Sequence, residues 1–217
     1  MTTTGMATGW YLPELAHPYK VLLDAGFTMD DIDVISPKGG VAPLDPDSAV
    51  YFKDDAICQW FQADATAQTM VKTTKTPSQI SAKDYAAVLI PGGHGPMFDL
   101  VKNNETAAII AQIYEAGGYV AAVCHGPAAL IPVKLSSGES IVKGKNLTAF
   151  TNSEERFMHL TAAMPFALET ALVQLGANFQ QVGDWQVKVV RDGRLITGQQ
   201  QNSAKLLAET LVAQLRS

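Results

Sequence analysis

Two cysteines in 217 residues, Cys58 and Cys124, are too few for a disulfide framework. No stretch approaches the roughly 18 apolar residues that a membrane-spanning helix needs. The opening MTTTGMATGWYLPEL has no basic segment followed by an apolar one, so no secretory signal is predicted. Positive charge is scarce as well: 16 Lys and Arg stand against 21 Asp and Glu, a net charge of −5. A nucleic-acid surface needs clustered basic residues, so neither a nucleic-acid nor a membrane partner is predicted. Only 17% of the residues are charged, below the usual quarter. So sparse a charge predicts that much surface is hidden in layered elements or a subunit contact. These absences together predict a soluble, cytoplasmic protein.

What is present is an ordinary globular hydrophobic content of 47%, which rules out wholesale disorder. The length suits one domain over residues 1–217. Short apolar runs alternate with helical periodicity, the pattern of an α/β parallel sheet. IDVIS (32–36), YAAVLI (85–90), YVAAV (119–123) and LTAF (147–150) read as strands. Residues 187–191 and 194–197 flank Asp192-Gly193, a strong hairpin signal. Helices are predicted at 18–25 with Pro18 at its first position, at 54 to about 72, at 104–116, at 165–175, and at 203–215 with Ser203 as N-cap. No apolar β-branched run precedes the first helix, so an opening strand is missing from this pattern.

Cys124 sits where the buried run YVAAV meets His125-Gly126-Pro127 and a helical stretch begins. Strand, sharp turn and helix make a nucleophile elbow in outline. A helix N-terminus stabilises a thiolate, so a depressed thiol pKa is predicted. In open parallel sheets, ligands gather beyond the carboxyl ends of the strands, where Cys124 lies. Cys58, inside a helical stretch, reads as a buried packing residue. The His125 backbone N–H is a candidate oxyanion donor. Gly93 offers a second, in the Gly-rich loop after the neighbouring strand, and His94 of that loop is a candidate for lining the pocket. The loop has no GxGxxG pattern, so no dinucleotide is predicted. His17 and His159 read as structural, Trp185 as packing, and no spaced His/Cys/Asp cluster predicts a catalytic metal.

The segments AAVCHGPAAL, PGGHGPMFDL, GWYLPELAHPY and FTNSEE together resemble the ThiJ/PfpI superfamily. They are most similar to its glutathione-independent glyoxalases (glyoxalase III) and stress chaperones, from Gly9 onward. The resemblance implies a flavodoxin-like three-layer α/β sandwich with a mostly parallel sheet. That fold is related to class I glutamine amidotransferases, and the family is usually homodimeric. In that fold the missing opening strand is a central one. The resemblance also assigns roles by position. Cys124 is the nucleophile and His125 its partner. Glu155 is the third member, with Glu154 the near alternative. Glu14, before the first helix, faces the sulfur. One departure stands out: the late segment usually reading TGQNPAS is here Thr197 to Ser203, TGQQQNS, without the proline.

The implied activity is cofactor-free conversion of methylglyoxal, a small dicarbonyl, to lactate through a cysteine hemithioacetal. The same residues would also suit a cysteine amidase or peptidase. A holdase chaperone or redox-sensing stress protein is the alternative from another class, with Cys124 as the oxidation sensor.

Overall fold

The apolar run YVAAV becomes the central strand β2, Tyr119–Val123, whose last four residues are buried. The structure, a computed structural model, describes residues 1–216. Parallel to β2 on one side lies β1, Ala87–Ile90, and on the other β6, Leu195–Gly198. The strand β5, Val189–Asp192, pairs antiparallel with β6 through the Asp192-Gly193 turn, where Gly193 takes φ +62°. The order is therefore β1-β2-β6-β5, a mostly parallel sheet. A parallel pair, β3 (Asn146–Leu147) and β4 (Asn178–Phe179), forms a second, two-stranded sheet.

Helices cover both faces, as a parallel sheet requires. The helix α5, Asn104–Glu115, packs Ile110 and Ala111 into one apolar cluster with Val120, Ala122 and Leu130. The opposite face is closed by α8, Ala204–Leu215, whose Leu207 and Leu211 join Ala121, Val123 and Ile196. Against α8 lies α1, Leu12–Asp24, backed by α2 (Pro46–Tyr51), α3 (Ala56–Ala63) and α4 (Ala65–Lys72). The remaining helices are α6 (Asn152–Phe157) and α7 (Leu168–Gln174). Among the described residues, no helix is long and apolar enough to cross a membrane.

Several sequence-based expectations are corrected. The first helix begins at Leu12, with Pro13 in its opening turn and Pro18 inside. Pro18 has no N–H to give the Glu14 carbonyl, yet Leu12, Ala16 and Tyr19 bury one face, and that burial holds the helix through the proline. The stretch 54–72 splits in two because Asp64 takes an extended conformation and caps α4 through Ala67 N. The segment 32–36 does not enter the sheet. Only an isolated bridge joins Ile35 to Lys75, because Val34 O and Ser36 N bond to Lys75. The run 147–150 shortens to Asn146–Leu147. Ser203 makes no side-chain cap; its hydroxyl accepts the Lys188 N–H instead. No strand precedes α1 among the described residues, and β1 stands at the sheet edge, partly exposed along Ala87, Val88 and Leu89.

Candidate active site

Cys124 follows the last residue of β2 with φ +60°, a left-handed conformation that costs a non-glycine residue of order 1–3 kcal/mol. Two backbone bonds hold it there. Its N–H donates to Gly198 O at 3.0 Å, and its carbonyl accepts from Phe150 N at 2.9 Å. The chain then turns through a five-residue 3-10 helix, Gly126–Leu130. So short a helix supplies little of the dipole that the elbow outline predicts.

The turn aims His125 back at the sulfur. Its Nδ1 lies 3.3 Å from Cys124 Sγ, and its Nε2 lies 2.6 Å from Glu155 Oε2. An ionised carboxylate only accepts, so Nε2 carries the proton and Nδ1 is free to take one from the thiol. Phe150 and His94 both pack against the ring, with centroids 4.4 Å and 4.3 Å away. Burial, then the neighbouring His94, push the His125 pKa down to about 4, against the pull of Glu155. The imidazole is neutral at rest. Glu155 is partly buried, which alone would raise its pKa, but hydrogen bonds from His125 and His94 outweigh this and hold it at about 2.

The two adjacent glutamates divide cleanly. Glu154 is fully buried and turned away from His125. Its Oε2 closes a capping box with Thr151, and its Oε1 accepts from Trp185 N and Gln199 Nε2. Glu155, one residue on along α6, reaches the imidazole. Gln199, in the segment that lacks the usual proline, thus helps anchor α6. Trp185 packs edge-on to Phe150 behind the site.

On the other side of the sulfur stands Glu14, in the first turn of α1 and fully buried. Its Oε2 accepts the Gly92 N–H at 2.6 Å, and its Oε1 has no oxygen or nitrogen partner. The carboxyl group interacts with the Cys124 thiol. Burial dominates and raises its pKa to about 8, so at neutral pH it is mostly protonated. Gly92 makes the approach feasible. A Cβ there would lie 2.6 Å from Glu14 Oε2, 2.7 Å from the His125 nitrogen and 2.8 Å from Cys124 Cβ.

The thiol itself departs from the sequence expectation of a depressed pKa. Burial first, then the charge of Glu14, push Cys124 well above the ordinary thiol value. The Gly93 and His125 backbone N–H groups donate toward the sulfur and oppose this without winning. Both expected oxyanion donors therefore meet at the sulfur. His94 Nε2 binds Glu155 Oε1 at 3.1 Å, so this loop histidine meets the acid of the site. Tyr11 is a neighbour that sequence reasoning missed. Its N–H donates to Gly92 O at 3.2 Å, and its phenol is raised by burial and by the charges of Cys124 and Glu14. The available signal was its place three residues before Glu14, one helical turn away.

Two predictions arise here. Alkylation of Cys124 should rise only above about pH 9. Cys58, pushed up to about 12 by burial and Asp55, should remain unlabelled under the same conditions. Peptide mapping after iodoacetamide at stepped pH checks this, and a Cys124 midpoint below the free value of about 8.5 would contradict it. The second concerns stability. Glu14 titrates near its ordinary value of 4.5 when unfolded and at about 8 when folded. Its contribution is complete below about pH 4.5 and lost as pH rises toward 8, at up to about 1.4 kcal/mol per pH unit. Denaturant midpoints of Glu14→Gln should therefore fall less across that window than those of the parent; parallel curves would contradict the assignment.

His94, His125 and Glu155 also bring one ligand atom each within 4.8 Å of one another, a set able to hold a metal ion. A cavity of about 200 Å³ borders the acid end of the site, lined by Phe150, Glu155, Arg156, Met164 and Phe166.

Comparison with known proteins agrees with this architecture. The model of the DJ-1/PfpI family matches residues 7–214. The glutathione-independent glyoxalase HSP31 of Saccharomyces cerevisiae is 29% identical, over 98% of this chain and 92% of its own. The crystal structure of glyoxalase III from Candida albicans superposes with a TM-score of 0.89 at 28% identity, covering 98% of this chain and 91% of that one. The Francisella tularensis protein REP24 reaches a TM-score of 0.92 at 35% identity, covering 99% and 93%. With a family match over nearly its whole length and the same fold in solved relatives, this chain belongs to the DJ-1/PfpI family.

Proposed function

We propose that this protein is a glutathione-independent glyoxalase that converts methylglyoxal to lactate, with Cys124, His125, Glu155 and Glu14 as its catalytic residues. The observation that carries the reading is a sulfur flanked by two proton carriers: a neutral imidazole on one side and a protonated, buried carboxyl on the other. Acyl hydrolysis needs only the first. Moving a hydrogen from one carbon of a dicarbonyl to the next uses both.

The steps balance without an external oxidant. Cys124 Sγ adds to the aldehyde carbon as its proton passes to His125 Nδ1, and the ionised Glu155 stabilises the imidazolium. The Gly93 and His125 N–H groups, aimed at the sulfur, lie beside the oxygen that becomes the hemithioacetal hydroxyl. The hydrogen on the former aldehyde carbon leaves as a proton and the ketone oxygen gains one, giving an enediol. Glu14 and His125 relay these protons. Reprotonation at the second carbon, with the proton of the first carbon's hydroxyl returned to the Glu14–His125 relay, leaves a thioester of lactate, which water cleaves, restoring the thiol. The residues carry this sequence without a cofactor.

Enclosure favours a small substrate over a peptide, because Cys124 is 4% and His125 2% exposed. The names of the relatives support glyoxalase activity. The test is lactate production from methylglyoxal by the purified protein with no thiol added. Lactate in proportion to methylglyoxal consumed is the expected result. Consumption without lactate, or a strict need for glutathione, would overturn it.

A further inference from the structure

Away from Cys124, a second group of ligating side chains comes together where α1 meets α3. His17 lies on α1, while Asp55 and Cys58 occupy the N-cap and first turn of α3. Thirty-eight residues separate His17 from Asp55, so no compact motif marks the cluster in the sequence. In the fold, one ligand atom from each of the three lies within 4.8 Å of the others. His17 Nε2 is 3.2 Å from Asp55 Oδ1 and 3.1 Å from Oδ2. Asp55 Oδ1 also accepts the Cys58 N–H at 2.8 Å, which fixes the carboxylate over the helix start. Cys58 is fully buried, whereas the His17 and Asp55 side chains are 20% and 28% exposed. The sulfur forms a floor, and the imidazole and carboxylate form a rim that opens to water.

We propose that His17, Asp55 and Cys58 form a binding site for a divalent transition-metal ion of the zinc class, with water as the remaining ligand. The donor set selects the ion. One sulfur, one imidazole nitrogen and one carboxylate oxygen suit zinc or cobalt; magnesium and calcium take oxygen ligands. The geometry is close to what such an ion needs. Bonds of about 2.0–2.3 Å in a tetrahedral arrangement place neighbouring donors about 3.3–3.8 Å apart. The imidazole and carboxylate already stand near that spacing. Small rotations of the two partly exposed side chains bring the donors onto an ion above the sulfur, with no movement of α3. On binding, the thiol proton is released to solvent, so the sulfur ligates as thiolate.

The site would clamp α1, the helix that carries Glu14, onto α3 without touching the Cys124 sulfur. It rests on no part of the glyoxalase reading, and a protein without glyoxalase activity would still bind the ion here.

The test is titration of the metal-stripped protein with cobalt(II), followed by absorbance, with zinc-dependent melting in parallel. The expected result is one thiolate-bound cobalt per chain, seen as a thiolate-to-cobalt charge-transfer band in the near ultraviolet. The band should persist in Cys124→Ser and vanish in Cys58→Ser. His17→Gln removes only the partly exposed imidazole. It should weaken cobalt binding at least tenfold, and it guards against the chance that Cys58→Ser fails to fold. Zinc at a hundred times its dissociation constant should raise the melting temperature by about 5–10 °C in the parent and in Cys124→Ser, and by far less in His17→Gln. Absence of the charge-transfer band would overturn the proposal. So would a band that survives Cys58→Ser or disappears in Cys124→Ser, because the ion would then sit beside the other sulfur. Unchanged cobalt affinity in His17→Gln would overturn it too.

Discussion

Cys124→Ala should reduce lactate formation from methylglyoxal to the uncatalysed background, while the variant stays folded. The sulfur is the only atom on which a hemithioacetal can form between His125 and Glu14. Removing it eliminates the covalent route and leaves only general acid–base groups around bound substrate. The loss should exceed the hundredfold to ten-thousandfold that such groups typically contribute on their own. Structure should survive. The strained backbone at φ +60° is held by bonds through Gly198 and Phe150 that do not involve the side chain. Glu14 loses its contact with the thiol but keeps the Gly92 N–H, and as a neutral, protonated group it stays tolerable in its buried place. Turnover measured beside circular dichroism checks both halves. A folded Cys124→Ala that retains a tenth of the parent rate would remove the thiol from the mechanism.

The two glutamates should fail differently. Glu155→Gln keeps a hydrogen-bonding partner for His125 but loses the charge that stabilises the imidazolium. Glu14→Gln keeps a polar group beside the sulfur but cannot give or take the shuttled proton. Each should slow turnover by about a hundredfold to ten-thousandfold. Only Glu14→Gln should shift the thiol. Its charge is the second cause, after burial, of the raised Cys124 pKa, so the alkylation midpoint should fall when the charge is removed. In Glu155→Gln the alkylation profile should stay near that of the parent. Alkylation and turnover measured against pH for both variants separate the roles. A shifted midpoint in Glu155→Gln with none in Glu14→Gln would exchange them.

Much of this site was legible in the sequence, for specific physical reasons. YVAAV is an uninterrupted apolar run, as a strand covered on both faces requires, and β2 occupies those residues. Asp192-Gly193 supplied a left-handed turn, and the hairpin formed around it. Other features lay outside local pattern. By type alone Glu14 reads as a solvated charge; only the family resemblance points it at the sulfur, and its place in the first turn of α1, which starts six residues earlier than Pro18 suggests, is not visible in the local pattern. The adjacent Glu154 and Glu155 are indistinguishable by type, and their division follows from the 3.6-residue turn of α6, which points one at Thr151 and the other at His125. The thiol pKa was misjudged because a strand–turn–helix outline does not reveal the helix length. A five-residue 3-10 helix gives little dipole to set against full burial. The run 32–36 has strand composition, but composition cannot show whether a neighbouring strand is there to pair with it.

The most direct measurement is rapid-quench mass spectrometry of the protein reacting with methylglyoxal in the absence of other thiols. The peptide carrying Cys124 should gain the mass of one methylglyoxal within the first turnover and return to its original mass as lactate accumulates. The peptide carrying Cys58 should stay unmodified. Lactate appearing at full rate while the Cys124 peptide never carries the adduct would contradict the covalent route.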